Sequence, residues 1–341
     1  MMRIALIGPY PPPIGGIAVH IQRMEKRLKD EGYSVTVYPN ISTQKWLLFH
    51  GLEILKLDVL HFHEFGWFNR LLLGCLSFLG APVALTLHGE SIRKELLTLP
   101  YLFSWLLRWS LKQIPAILTV NPEIREFLLE QGIDPERVEA IHTFLLPSTD
   151  LEALPIKREQ FLRTHHPVLA VSGFRIIPYR DNDLYGIKLS LSLCDRLKDK
   201  FPDLGLLIYL AEIGDDDYFT QLQETLATKN LERKVEWVIG ESLLPILPRL
   251  SIFVRPTYED GYGLSIAEAL YFGVPTIASD VCKRPAGTIL FRVGDLTDFY
   301  SKVSFALSNY PKVKRAARAT IPDDAFPGII AAYHRISGGP C

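Results

Sequence analysis

Near the end of the chain, Asp260 and Glu268 stand on either side of Gly261, Tyr262, Gly263, Leu264 and Ser265, with seven residues between the two acids. Carboxylates accept hydrogen bonds from sugar hydroxyls. The two glycines let backbone approach a ligand closely, and a helix starting beyond them offers unpaired N–H groups to an anion. A hydroxyl acceptor beside a donor-rich helix start suits a molecule that carries both hydroxyls and phosphates. A nucleotide sugar is such a molecule. Ser265-Ile266-Ala267-Glu268 also matches a capping box, in which Glu268 would only bond the Ser265 N–H. That second reading needs neither Asp260 nor the two glycines.

Flanking apolar runs must hold this loop. Ile252–Val254 reads as a strand, a short helix follows with Glu268 in its first turn, and Gly273 leads to a strand at Thr276–Ala278. The same rhythm fills the chain. In the first half we read strands at Arg3–Gly8, Ser34–Tyr38, Val59–His63, Val83–Leu87, Ala116–Val120 and Val138–His142. Helices at Ile17–Glu31, Phe68–Leu79, Tyr101–Lys112 and Pro122–Glu130 separate them. A polar stretch, Pro147–Pro167, reads as a linker. Beyond it come strands Val168–Val171, Leu206–Leu210 and Val235–Val238, with helices at Lys188–Lys200, Tyr218–Lys229, Asp298–Leu307 and Phe326–Arg335. Short apolar runs alternating with helices predict parallel sheets covered on both faces, hence two doubly wound α/β domains at 1–150 and 166–320. Two such halves imply a cleft lined by strand carboxyl ends.

Other residues at strand ends could join the chemistry. Gly15 and Gly16 follow a proline-stiffened loop and precede a helix, which fits either a phosphate approach or a plain turn. His88 ends a strand just before Gly89, where a histidine can be a ligand contact or merely structural. His61 and His63 end another strand; with no recognisable third ligand they make no metal site, and His63 is left to line the cleft. Arg175, Arg255 and Arg284 are candidate cations for phosphate or acceptor, or ordinary surface arginines. Trp105, Leu106, Trp109 and Leu111, with Arg108, Lys112, Trp67, Phe68 and Arg70, read as core packing or as a surface resting on anionic lipid.

The 251–279 segment resembles the signature of family 4 retaining glycosyltransferases, in which two acids separated by seven residues bracket a Gly-aromatic-Gly loop. The resemblance implies a GT-B fold, two Rossmann-like domains facing across a cleft, with a terminal helix at about 322–341 packing back on the first domain. It assigns the ribose hydroxyls to Glu268, the donor sugar to Asp260 and His88, and the sugar and diphosphate to the backbone of Gly263 and Leu264. Gly15 and Gly16 would lie over the donor phosphates. The family's Arg corresponds to Arg175, shifted by one residue, and its Lys-Gly pair is replaced here by Tyr185-Gly186, which exchanges an ammonium for a phenol. Together these imply a retaining, metal-independent transferase that uses a nucleotide-diphosphate sugar without a cofactor. Its acceptor would be a saccharide or lipid-linked molecule in surface polysaccharide or glycolipid synthesis. A non-catalytic nucleotide-sugar-binding subunit and a sugar-nucleotide epimerase are the alternatives.

Composition sets the outer bounds. The 341 residues are 48% hydrophobic and 22% charged, and the net charge of −1 lacks the basic excess expected of a nucleic-acid binder. Cys75, Cys194, Cys282 and Cys341 form no close pair, as expected of a protein in a reducing cytoplasm, free or peripheral on the inner membrane face. Met1-Met2-Arg3 leads straight into a strand, with no signal-peptide pattern.

Overall fold

The computed structural model describes residues 1–63 and 66–338, so Cys341 and the last residues of the expected terminal helix segment lie outside the described residues. The chain divides into two compact units: Met1–Pro12 with Ile17–Leu145 and Asp324–Cys341, and Pro13–Gly16 with Leu146–Asp323.

The first unit runs β1 (Arg3–Gly8), α1 (Gly16–Asp30), β2 (Ser34–Pro39), α2 (Thr43–His50), a 3-10 segment at Gly51–Lys56, β3 (Val59–Phe62) and α3 (Trp67–Phe78). It continues with β4 (Val83–Leu87), α4 (Ser91–Thr98), α5 (Tyr101–Gln113), β5 (Ala116–Thr119), α6 (Pro122–Glu130) and β6 (Val138–Ala140). All its strands pair in parallel, in the order β2-β1-β3-β4-β5-β6. The direction of winding reverses between β1 and β3. Successive residues of β1 feed opposite cores: Ala5 and Ile7 one, Ile4 and Leu6 the other, which is why these strands read as unbroken apolar runs.

The second unit comprises α7 (Ile156–Thr164), β7 (Val168–Gly173), a hairpin of β8 (Pro178–Tyr179) and β9 (Asn182–Asp183), α8 (Ile187–Leu197), β10 (Gly205–Leu210), α9 (Asp216–Thr228) and β11 (Val235–Ile239). It is completed by β12 (Ile252–Arg255), α10 (Leu264–Tyr271), β13 (Thr276–Ser279), β14 (Ile289–Phe291), α11 (Leu296–Ser308) and α12 (Tyr310–Arg318). Its large sheet is also parallel, ordered β11-β10-β7-β12-β13-β14, and reverses between β7 and β12. The terminal helix α13 (Phe326–Ser337) belongs to the first unit, where Phe326, Ile329, Ala332 and Tyr333 pack beside Ile4, Leu6 and Met24.

Several elements differ from the sequence expectation, each for a local reason. The expected linker contains α7, whose Phe161 enters the second unit's core and whose buried Arg158 pairs with Glu236 and Glu241. One apolar anchor and a buried cation give no helical periodicity. The second unit therefore begins at Leu146 rather than at residue 166. The α2 segment hangs on a single buried tryptophan, Trp46, and α4 on Ile92 and Leu96. Too few apolar positions announce either helix.

Candidate functional site

A parallel sheet binds ligands at its strand carboxyl ends, beside the point where winding reverses. In the second unit that point lies between β7 and β12, and the acid-glycine loop follows β12 directly. Arg255, the last residue of β12, donates from Nη1 to the Ser172 carbonyl of β7 at 3.0 Å, so one guanidinium bridges the reversal. Its plane lies over the Tyr185 ring at 5.3 Å. That ring in turn packs where a Cβ on Gly173 would stand, 2.7 Å from it.

Asp260 is the centre of an ion triad. Its Oδ2 accepts from Arg255 Nε at 2.9 Å and from Arg284 Nη1 at 2.8 Å, while Oδ1 accepts the Gly261 N–H at 3.0 Å. Arg284 is held rigidly, since its Nε donates to the Ser279 carbonyl at 3.0 Å and its Nη2 to the Ser279 hydroxyl at 3.2 Å. Burial alone would push the Asp260 carboxyl up; the two guanidiniums outweigh it and bring it down to about 2. A carboxyl lowered in this way stabilises the fold in full above its unfolded value near 4, and that contribution is lost as pH falls towards 2. Two cations and one anion leave the cluster with one net positive charge.

The loop then turns into α10. Its N-cap is Gly263 at φ 90°, a conformation that favours glycine, and an added Cβ would lie 2.7 Å from Ile266 and 3.1 Å from Arg284 Nη1. The helix has no side-chain cap, so Ser265 is not an N-cap and the capping-box reading fails. Leu264 and Ser265 instead form the first helical positions, and Glu268 stands in the second turn rather than the first, 6% exposed. Tyr262 is half-buried and adjacent.

Arg175 stands elsewhere. It is half exposed and paired at 3.2 Å with Glu212, while the cations that pair with Asp260 are Arg255 and Arg284. Arg284 is missed as a central residue by sequence reasoning because 24 positions separate it from Asp260.

In the first unit, the reversal point gathers histidines. Gly16 opens α1 and a Cβ there would meet open space; it and the preceding Gly15 cluster with the second unit. His88 follows β4 and is half-buried; its Nε2 lies 2.8 Å from His63 Nδ1, and His63 is buried rather than exposed to a ligand. His61 sits between the Tyr333 hydroxyl at 2.6 Å and the Thr86 hydroxyl at 2.7 Å. His20, from α1, meets both His63 and His88 edge-on at 5.6 and 5.8 Å between ring centres. His20 was legible: it lies on the apolar stripe of α1 with Ile21, Met24 and Leu28. Among the described residues no group of histidines, cysteines or acids has the arrangement to hold a metal ion.

Two family models match complementary parts of the chain. Residues 39–145 match the family described as Glycosyltransferase Family 4, and residues 176–306 match Glycosyl transferases group 1. No curated protein sequence matches. Similar solved structures include the Anabaena protein HepE in complex with UDP, 12% identical, covering 99% of each chain at a TM-score of 0.70. A glycosyltransferase from Rickettsia africae is 14% identical, covering 98% of each chain, with a TM-score of 0.71. Sucrose-phosphate synthase from Thermosynechococcus elongatus is 13% identical over 99% of this chain and 94% of its own, with a TM-score of 0.67. Such low identities speak for the fold, which is GT-B. This chain belongs to the group 1, family 4 glycosyltransferases.

Proposed function

We propose that the protein transfers a sugar from a nucleotide-diphosphate sugar to a saccharide or lipid-linked acceptor, with retention at the anomeric carbon and no metal called upon. The observation that carries this reading is the cluster at the second unit's reversal point: net cationic Arg255–Asp260–Arg284 beside the α10 start and buried Glu268. Glu268 would accept the ribose hydroxyls, while Arg255 and the N–H groups of Gly263, Leu264 and Ser265 stabilise charge on the departing diphosphate. Retention is supported by the state of Asp260. A carboxylate held by two guanidiniums is a poor nucleophile and a poor base, which leaves the departing phosphate to take the acceptor's proton from the same face. That HepE has been solved with UDP-glucose supports a UDP-sugar as the first donor to try. The test is stabilisation of the purified protein by nucleotide-diphosphate sugars, followed by NMR of the sugar released from the bound donor. An inverted anomer would remove the retaining assignment.

The acceptor side carries a second expectation, contact with an anionic lipid surface. No described helix is long and apolar enough to cross a membrane. Yet Leu48, Phe49, Leu52 and Leu55 are between 70% and 85% exposed. Leu52 and Leu55 line a groove of about 590 Å³ with Leu76, Leu79 and Pro82. Phe78, at the end of α3, meets Trp109 at 5.8 Å, and exposed Trp105 and Leu102 continue the stripe along α5. The acids in this region are internally occupied: Glu53 by Tyr38 and His50, Asp58 by Arg3, and Glu95 by Arg70. Arg70 is fully buried and contributes no surface charge, and Leu111 is core. Lys45, Lys56 and Lys112 remain to face lipid phosphates. The protein is expected to float with vesicles of anionic phospholipid, less so in high salt, and Leu52→Ser with Leu55→Ser to cut the floated fraction about fivefold or more. Absence of flotation with any vesicle would refute the contact, and self-association without lipid would assign the stripe to a second copy.

A further inference from the structure

We infer that His63 is a positioning residue, whose Nδ1–H donates to His88 Nε2 and thereby fixes the His88 proton on Nδ1, the nitrogen left for a ligand. The inference concerns the first unit by itself and holds whatever His88 contacts.

The His63 N–H donates to the Ile7 carbonyl of β1 at 2.9 Å, pinning the residue beside the reversal point. Gly8 makes this possible, because a Cβ there would come within 2.9 Å of the His63 Cβ. The His61 ring lies against that of His63 with centres 4.2 Å apart. His63 is 1% exposed, so the ring cannot swing out to solvent without opening the core.

Burial pushes all four imidazoles down, His20 to about 4 and His61 to about 3, with His63 and His88 also well below the ordinary value. Neighbouring histidines add to the effect, since one imidazolium in the group would repel another. Each ring is therefore neutral near pH 7 and carries a single N–H. His20 is settled by its partner: Nδ1 faces the Thr143 carbonyl at 2.8 Å, and a carbonyl only accepts. His61 lies between two hydroxyls, which rotate to suit either tautomer.

The 2.8 Å contact between His63 Nδ1 and His88 Nε2 holds one proton, with two possible owners. If His88 owned it, the His63 proton would sit on Nε2, which is buried and has no partner among the described residues. That arrangement buries an unpaired N–H. If His63 owns it, Nε2 is only an unpaired lone pair, and the His88 proton moves to Nδ1. Orphaned buried N–H groups are the rarer and more costly case. The second arrangement therefore prevails, and half-buried His88 presents an N–H donor, suited to a sugar hydroxyl or a phosphate oxygen.

Long-range ¹H–¹⁵N NMR on protein labelled at histidine separates the two tautomers, with His88 assigned from a His88→Gln sample. In the wild-type protein we expect His88 to be protonated on Nδ1 and not on Nε2. His63→Asn keeps a donor near the Nδ1 position and should preserve this state. His63→Leu removes the donor and should shift the His88 tautomer ratio about tenfold towards Nε2–H, the loss expected from one hydrogen bond. An Nε2–H form in the wild type, or an unchanged ratio in His63→Leu, overturns the inference. Should His63→Leu fail to fold, the wild-type tautomer still decides.

Discussion

Replacing Glu268 with alanine is expected to abolish sugar transfer and to weaken binding of the nucleotide-diphosphate sugar by about 10- to 100-fold, the cost of losing a charged acceptor of one or two hydrogen bonds. The fold should survive, because α10 begins at Gly263 and is anchored in the core by Ile266, Ala269 and Leu270. Glu268→Gln keeps the shape and one acceptor oxygen, so its loss should be smaller. Binding of the bare nucleoside should weaken in step, since the ribose is the group held. Calorimetric titration with nucleoside and nucleotide sugar measures both. An unchanged nucleoside affinity in Glu268→Ala would show that this acid holds something other than ribose.

Arg255→Met should give the complementary pattern. Binding of the nucleoside diphosphate is expected to fall by about 10- to 100-fold, as when a charge-assisted hydrogen bond is removed, with nucleoside affinity left as it was. Asp260 retains Arg284 and the Gly261 N–H, so the loop keeps its anchor, and a modest fall in stability is the only structural effect expected. The prediction follows from Arg255 having Nε and Nη1 engaged while Nη2 donates to no protein acceptor among the described residues. Equal losses for nucleoside and diphosphate would mean that Arg255 merely supports the loop.

The two variants together would test how a chain lacking the family's Lys-Gly pair could hold a diphosphate. Tyr185, expected in the place of that lysine, brings no charge, but its ring is the platform on which Arg255 rests.

Much of the architecture was readable because apolar runs bounded by glycine and proline mark buried parallel strands so directly. Residues 3–8, 83–87 and 206–210 are examples, buried almost throughout. What escaped were elements that hang on one or two anchors: α7 on Phe161 and a buried arginine, α2 on Trp46, and edge strand β14 at Ile289–Phe291. The spacing of Asp260, Gly263 and Glu268 was visible as a local pattern, since all three lie within one loop and helix. Pairings across the sheet were not. Nothing in residue order says that Arg284 reaches back to Asp260, or that Tyr333 from the last helix bonds His61. Nor does it say that Arg175, expected at the phosphates, pairs with Glu212.

Thermal unfolding of the purified protein with UDP-, GDP-, ADP- and TDP-sugars tests the central proposal most directly, because only a ligand of the native state raises the midpoint. A donor present at 100 times its Kd adds about 2.7 kcal/mol, which for a protein of this size is roughly 4 °C. We expect a shift of that size with one class of nucleotide-diphosphate sugar, and its loss in Glu268→Ala. No shift with any of the four classes would contradict the assignment of this site to a nucleotide-sugar donor.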